Sequence, residues 1–121
     1  MISIVIPTFN DSKFLLEVFE SLESQTIQSF NVVVVDSSTN EDSSINIKEF
    51  IKHSNLKIKY KKINRAYAGR SMNIGVEIAE DDLIGFLDTK TIPEKDWLET
   101  YVKKIHSGYD VIFGVTKYEA V

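Results

Sequence analysis

The chain has 121 residues, 43% of them apolar and 26% charged, with a formal net charge of −4. This length suits one domain over residues 1–121 with a modest core, and the acidic balance argues against the basic face of a nucleic-acid binder. Cysteine is absent, which excludes a disulfide scaffold, a thiolate metal site and a cysteine nucleophile.

The first element is "ISIVIP", residues 2–7, a run rich in Val and Ile with little alternation. Such a run fits a strand buried on both faces of a parallel sheet. It is too short for the core of a secretion signal and has no basic flank. No later run approaches the length of a membrane span, so the expected compartment is the cytoplasm. The sequon Asn10-Asp11-Ser12 is then read as chance. Leu15, Val18, Phe19 and Leu22 follow at helical spacing and make one apolar stripe. Residues 31–36 are the second strand, and the loop "DSSTNEDSS" follows it. Ile47, Phe50 and Ile51 mark a weaker helix. Residues 56–63, "LKIKYKKI", alternate apolar and basic, which predicts a sheet edge where lysines discourage further pairing. Met72, Val76 and Ala79 mark a third helix, and residues 83–88 a fourth buried strand. Pro93 suits the first turn of a last helix with the stripe Leu98, Tyr101, Val102 and Ile105. Gly108 suits the residue just past its end. Residues 110–115 read as a fifth strand.

Strands alternating with helices give an α/β fold: three layers around a mainly parallel open sheet with right-handed crossovers. Ligands of such sheets bind beyond the carboxyl ends of the strands, where strand order reverses. The residues to read are therefore 7–11, 36–39, 64–70 and 88–91. No G-x-G-x-x-G follows the first strand and no G-x-x-x-x-G-K-[ST] occurs, so the dinucleotide and P-loop readings fail. A phospho-acceptor receiver would need acidic residues after the first strand and Asp after the third. The strands end in "PTFN" and "KKIN" instead, although Lys117 would suit the fifth.

What remains is the series "SIVIPTFN", "SLESQT", "NVVVVDSSTNEDS" and "NRAYAGRSMNIGVEIAEDDLIGFLDTKTIPEKDWLE". In that order and spacing it resembles the inverting glycosyltransferases of family two, which have the GT-A fold, over nearly the whole chain. Each motif alone is weak; together they are specific. The resemblance implies the nucleotide-sugar-binding half of an enzyme that transfers a sugar from a nucleotide diphosphate to an acceptor hydroxyl, as in surface-polysaccharide assembly. It implies a uridine-type donor, and a full-length enzyme lying peripherally at the inner membrane face. The competing class is a non-catalytic nucleotide-sugar-binding or interaction module that keeps the fold.

By the same resemblance Pro7, Thr8 and Asn10 line the nucleoside pocket, and Asp36 meets the base edge. Asp36 also has a plain structural reading as a turn-capping Asp before "SSTN". Arg70 would face the diphosphate or base, since its fork suits phosphate oxygens. Asn73 is a poor helix former inside a helix, which hints at a side-chain partner or simply an exposed residue. The family places Asp-x-Asp after the fourth strand, with the last Asp on Mn²⁺ or Mg²⁺. Asp88 matches the first Asp, but Lys90 replaces the last, and the metal comes into question. An Asp carrying a divalent cation presents net +1 to a diphosphate, and so does a lysine, a competent phosphate ligand. Three readings stay open: Lys90 replaces the Asp–metal unit, Lys90 points to solvent while Asp88 holds a metal more weakly, or the site has decayed. His53 and His106 read as surface residues, residues 80–82 as a solvated acidic helix end, and Trp97 as core before sugar platform. No residue matches the general base of the family. The expectation is a half that binds but does not transfer, completed by a missing C-terminal half or by self-association through an exposed sheet edge.

Overall fold

The computed structural model describes residues 1–112 and 114. Its elements run β1 (Ile2–Thr8), α1 (Ser12–Glu23), β2 (Phe30–Asp36), α2 (Glu41–His53), β3 (Ile58–Lys62), α3 (Ala68–Ile78), β4 (Leu83–Phe86) and α4 (Trp97–His106). The strands form one sheet in the order β3-β2-β1-β4, and every pairing is parallel. The run "LKIKYKKI" supplies β3, at the edge as its alternation predicts. Of the expected fifth strand, Asp110, Val111, Ile112 and Gly114 carry no strand; Phe113 and Val115 lie outside the described residues.

Strand alternation sorts the side chains into two cores. On one face Ile4, Ile6, Val32 and Val34 pack against Leu15, Val18, Phe19 and Leu22 of α1, Ile47 of α2 and Leu98 of α4. Phe19 and Phe50 stack there with ring centroids 5.0 Å apart. Trp97 also packs on this core, edge-on to Tyr101, so it is a core residue. On the other face Val5, Val33 and Val35 meet Ile74, Ile78 and Ala79 beside α3. Three layers result.

The buried face of α3 differs from the expected one. Ser71 and Gly75 are its buried residues, whereas Val76 is 43% exposed. The reason is close approach: a Cβ on Gly75 would lie 2.3 Å from Val5 Cγ1. Small residues let the helix lie almost against the strand. Pro93 is likewise buried in the loop before α4, not in its first turn. The start of α4 is held instead by Gln25, from "SLESQT". Its Oε1 accepts from the Leu98 N–H at 3.1 Å, and its Nε2 donates to the Glu94 carbonyl at 2.7 Å. Gly108 adopts φ 104° just past the helix end, as expected of a glycine there. At the amino ends of the strands Asp81 accepts from Ser3 Oγ (2.7 Å) and Asn31 Nδ2 (2.9 Å). The acidic turn thus pins β1 and β2, and only its Glu80 and Asp82 are exposed.

The chain steps from β1 to β2 to β3 on one side of β1 and then places β4 on the other. Strand order reverses between β1 and β4. A crevice must open at their carboxyl ends, because the loops leave in opposite directions there.

Candidate functional site

A cleft of about 300 Å³ occupies that crevice. Pro7, Thr8, Phe9 and Asp11 line it from the end of β1, Ser37 from the end of β2, Ala66, Ala68 and Ser71 from α3 and its approach, and Asp88, Thr89 and Lys90 from the end of β4. A smaller hollow of about 220 Å³ lies at the opposite end of the sheet, among Ser3, Asn31, Lys59 and their neighbours.

Asn10 clamps the first two loops together. It sits at φ 51°, a left-handed conformation that asparagine tolerates better than most residues. Its Oδ1 accepts from the N–H groups of Thr39 (3.0 Å) and Asn40 (2.9 Å), and its own N–H donates to Ser38 Oγ at 2.8 Å. Asn10 is exposed and ties the loops beside the cleft without lining it.

Asp11 is the tie that sequence reasoning missed. Its carboxylate accepts from the hydroxyls of Thr8 and Thr89 and from the Phe9 N–H at 3.1 Å. Thr89 is far along the chain, so Asp11 fastens the turn after β4 to the end of β1. The spacing Thr8-x-x-Asp11 was the available signal, but nothing local pointed to Thr89.

Asp36 is held within the protein. It is fully buried. Oδ1 accepts from the Ser38 N–H at 2.9 Å, and Oδ2 accepts from Ser44 Oγ at 2.6 Å and from the Tyr60 hydroxyl. Both oxygens are engaged, and the turn-capping reading describes what the side chain does. It anchors residues 37–39, which Asn10 and the Lys62 ammonium on the Ser38 carbonyl hold from outside. Burial pushes the Asp36 carboxyl up, but the hydrogen bonds from Ser38, Ser44 and Tyr60 together outweigh it and hold the carboxyl below its ordinary value. Burial, then the bond to Asp36, pushes the Tyr60 phenol up to about 12.

Asp88 and Lys90 are exposed at the rim. Asp88 Oδ1 accepts from the Lys90 N–H at 2.6 Å, which leaves Oδ2 open. The Lys90 ammonium lies 5.7 Å from the centroid of the Phe14 ring, a cation–π contact that supports it beside the cleft. Arg65 lies similarly over Phe9, at 5.3 Å. Arg70 and Asn73 are exposed on α3 and do not line the cleft. The partner expected for Asn73 is not found among the described residues.

The donor set is poor in cation ligands. Among the described residues no group of three His, Cys, Asp or Glu could hold a metal ion. Asp11 is engaged by two hydroxyls and the Phe9 N–H, and Asp88 offers one open oxygen against the roughly six a Mg²⁺ ion takes. These residues alone do not fit a resident divalent cation, and the ammonium beside them presents the opposite sign. Nor is any helix among the described residues long and apolar enough to cross a membrane.

A parallel α/β sheet with a cleft of mixed apolar and polar lining at its switch point defines a ligand-binding class, and comparison with known proteins narrows it. The model for Glycosyl transferase family 2 matches residues 3–120; the chain belongs to that family. It is 26% identical over 115 residues to "Glycosyltransferase GlyG" of Streptococcus pneumoniae, covering 94% of this chain and 38% of the relative. The crystal structure of residues 1–349 of S. aureus TarS in complex with UDP-GlcNAc superposes with a TM-score of 0.75 and 27% identity, over 88% of this chain and 31% of that one. A mannosyltransferase from Pyrobaculum calidifontis, in complex with GDP-Man and Mn²⁺, shares the fold at a TM-score of 0.77 and 20% identity, over 84% and 31%. The chain thus spans well under half the length of these relatives. The resemblance read from the motifs is the family observed, and the three-layer parallel architecture is its fold.

Proposed function

We propose that this chain is the donor-binding part of an inverting glycosyltransferase and holds a nucleoside diphosphate sugar, of uridine type, in the cleft between β1 and β4. The observation that carries the reading is the rim pair: Asp88 with an open oxygen and Lys90 with an exposed ammonium, fastened over the cleft through Asp11 and Thr89. An anionic diphosphate needs a positive partner, and Lys90 is the cation that lines the cleft. Asp88 then suits a neutral donor such as a ribose hydroxyl. Pro7 and Thr8 form the wall, and Asn10 and Asp36 hold its shape. Arg70, in the first turn of α3, is exposed beside the cleft.

Transfer also needs a base to take the acceptor proton. In the cleft Asp11 is engaged by three donors and Asp88 by the Lys90 N–H, so the reading assigns acceptor chemistry to the remainder of a longer protein. The engaged carboxylates equally favour the second reading, a module that binds the nucleotide sugar without catalysis. Both share the binding claim.

That claim is tested by titrating UDP against wild type, Lys90→Ala and Lys90→Asp, with Mn²⁺ or with chelator. Wild-type binding is expected to survive chelator and to weaken with salt. Lys90→Ala should lose about 3- to 10-fold in affinity, a modest factor because an exposed ammonium is screened over about 10 Å at 0.1 M salt. Lys90→Asp should make binding depend on Mn²⁺. Collapse of wild-type binding in chelator, with a silent Lys90→Ala, would return Lys90 to the solvated surface.

A further inference from the structure

Ser71 lies on the first turns of α3, on the face turned to the sheet, and is 1% exposed. Its N–H donates to the Tyr67 carbonyl at 3.1 Å. Its hydroxyl has no hydrogen-bond partner among the described residues. Ser21 in α1, by contrast, donates to the Glu17 carbonyl four residues back, and buried Ser44 in α2 donates to Asp36. Yet no fully buried side-chain oxygen among the described residues lacks a partner. The sliver of Ser71 that remains accessible must therefore be at the hydroxyl, and Ser71 lines the cleft. A hydroxyl withdrawn from bulk water and left unpaired is unfavourable. It calls for a partner that the described residues do not supply.

The surroundings indicate which part of a ligand that partner belongs to. Pro7, Thr8, Ser37 and Ala66, which line the same cleft, carry no charge. The rim residues Asp88 and Lys90 are exposed. A charged diphosphate is better placed at the rim, where cation and water are both available, and an uncharged group at the buried wall. We propose that Ser71 is a ligand residue of the cleft and that its hydroxyl hydrogen-bonds the uncharged nucleoside portion, base or ribose, of the bound nucleotide. This assignment rests on the nucleotide-binding reading above. The close approach of α3 to β1 at Gly75 serves it, because Ser71, one turn earlier on the same helix, lines the cleft together with Pro7 and Thr8.

The test is Ser71→Ala, which deletes one oxygen, keeps the Cβ and improves helix propensity; thermal melting of the variant checks that the fold is kept. Uridine, UMP and UDP are each titrated into wild type and variant by NMR chemical shift. The expected result is the same loss of affinity, about 5- to 10-fold, for all three ligands, because the contact is to the part they share. A loss confined to UDP would place the hydroxyl on phosphate and overturn the assignment. Equal binding by wild type and variant would overturn it too, leaving Ser71 a packing residue and the nucleotide reading intact. Failure of wild type to bind any of the three would overturn both.

Discussion

Asp36→Ala is expected to destabilise the fold by about 3 kcal/mol. The substitution strips the acceptor from the Ser38 N–H, the Ser44 hydroxyl and the Tyr60 hydroxyl at a fully buried position. A buried donor left without a partner costs about 1–3 kcal/mol. Half-buried Tyr60 can recover water, so the three losses fall short of their maximum. Tyr60→Phe, which removes one donor and leaves the carboxylate two, should cost about 1 kcal/mol. The measurement is the urea midpoint at unchanged slope. The pH dependence has a definite sign at each end. The Asp36 carboxyl lies below its ordinary value of 3.8 in the fold. Its stabilisation is complete above that value and is lost as pH falls through the lowered one. The Tyr60 phenol is raised from 10.0 to about 12. Its contribution is complete below pH 10 and is lost as pH rises toward 12, because the unfolded chain ionises first. Asp36→Ala should remove this residue's share of the acid arm. A midpoint equal to wild type would show that the β2 loop does not depend on this anchor.

Gly75→Ala is the second substitution with a large expected effect. In most helices it would add up to about 1 kcal/mol through propensity. Here the new methyl would meet Val5 Cγ1 at 2.3 Å, Val5 Cγ2 at 3.3 Å and Val35 Cγ2 at 3.4 Å. Both valines are fully buried and stiff at χ1, so the helix must move away from the sheet. Overpacking of this kind costs about 1–3 kcal/mol, and the net expectation is a loss of about 1–2 kcal/mol. Gly69 is the control on the same helix: a Cβ there meets nothing within 4 Å, and Gly69→Ala should be neutral or stabilising. Because α3 also carries Ser71, its displacement should widen the cleft and weaken nucleotide binding. Equal melting temperatures for the two alanine variants would contradict the close approach.

These two positions also show where the sequence was readable. Apolar stripes announced α1 and α4, and alternating lysines placed β3 at the edge, because those signals are carried by large side chains. The buried face of α3 was not readable the same way. Ser71 and Gly75 carry no apolar signal, and their burial follows from how near the helix lies to β1. The cleft was legible as a location, since Pro7, Thr8, Asp88 and Lys90 all line it. The bonds of Asp36 to Ser44 and Tyr60 were not, because both partners are brought to the strand end only by the fold. Asp11 escaped notice because its partner Thr89 is brought near only by the pairing of β1 with β4.

The central claim is that the cleft between β1 and β4 binds a nucleoside diphosphate. The most direct test is a titration of ¹⁵N-labelled chain with UDP, followed by amide chemical shift. Shifts are expected at Phe9, Ser37, Ala68, Ser71, Thr89 and Lys90, the ring of residues around the cleft. Shifts confined to Ser3, Asn31 and Lys59, around the hollow at the opposite end, or no shifts at saturating UDP, would contradict it.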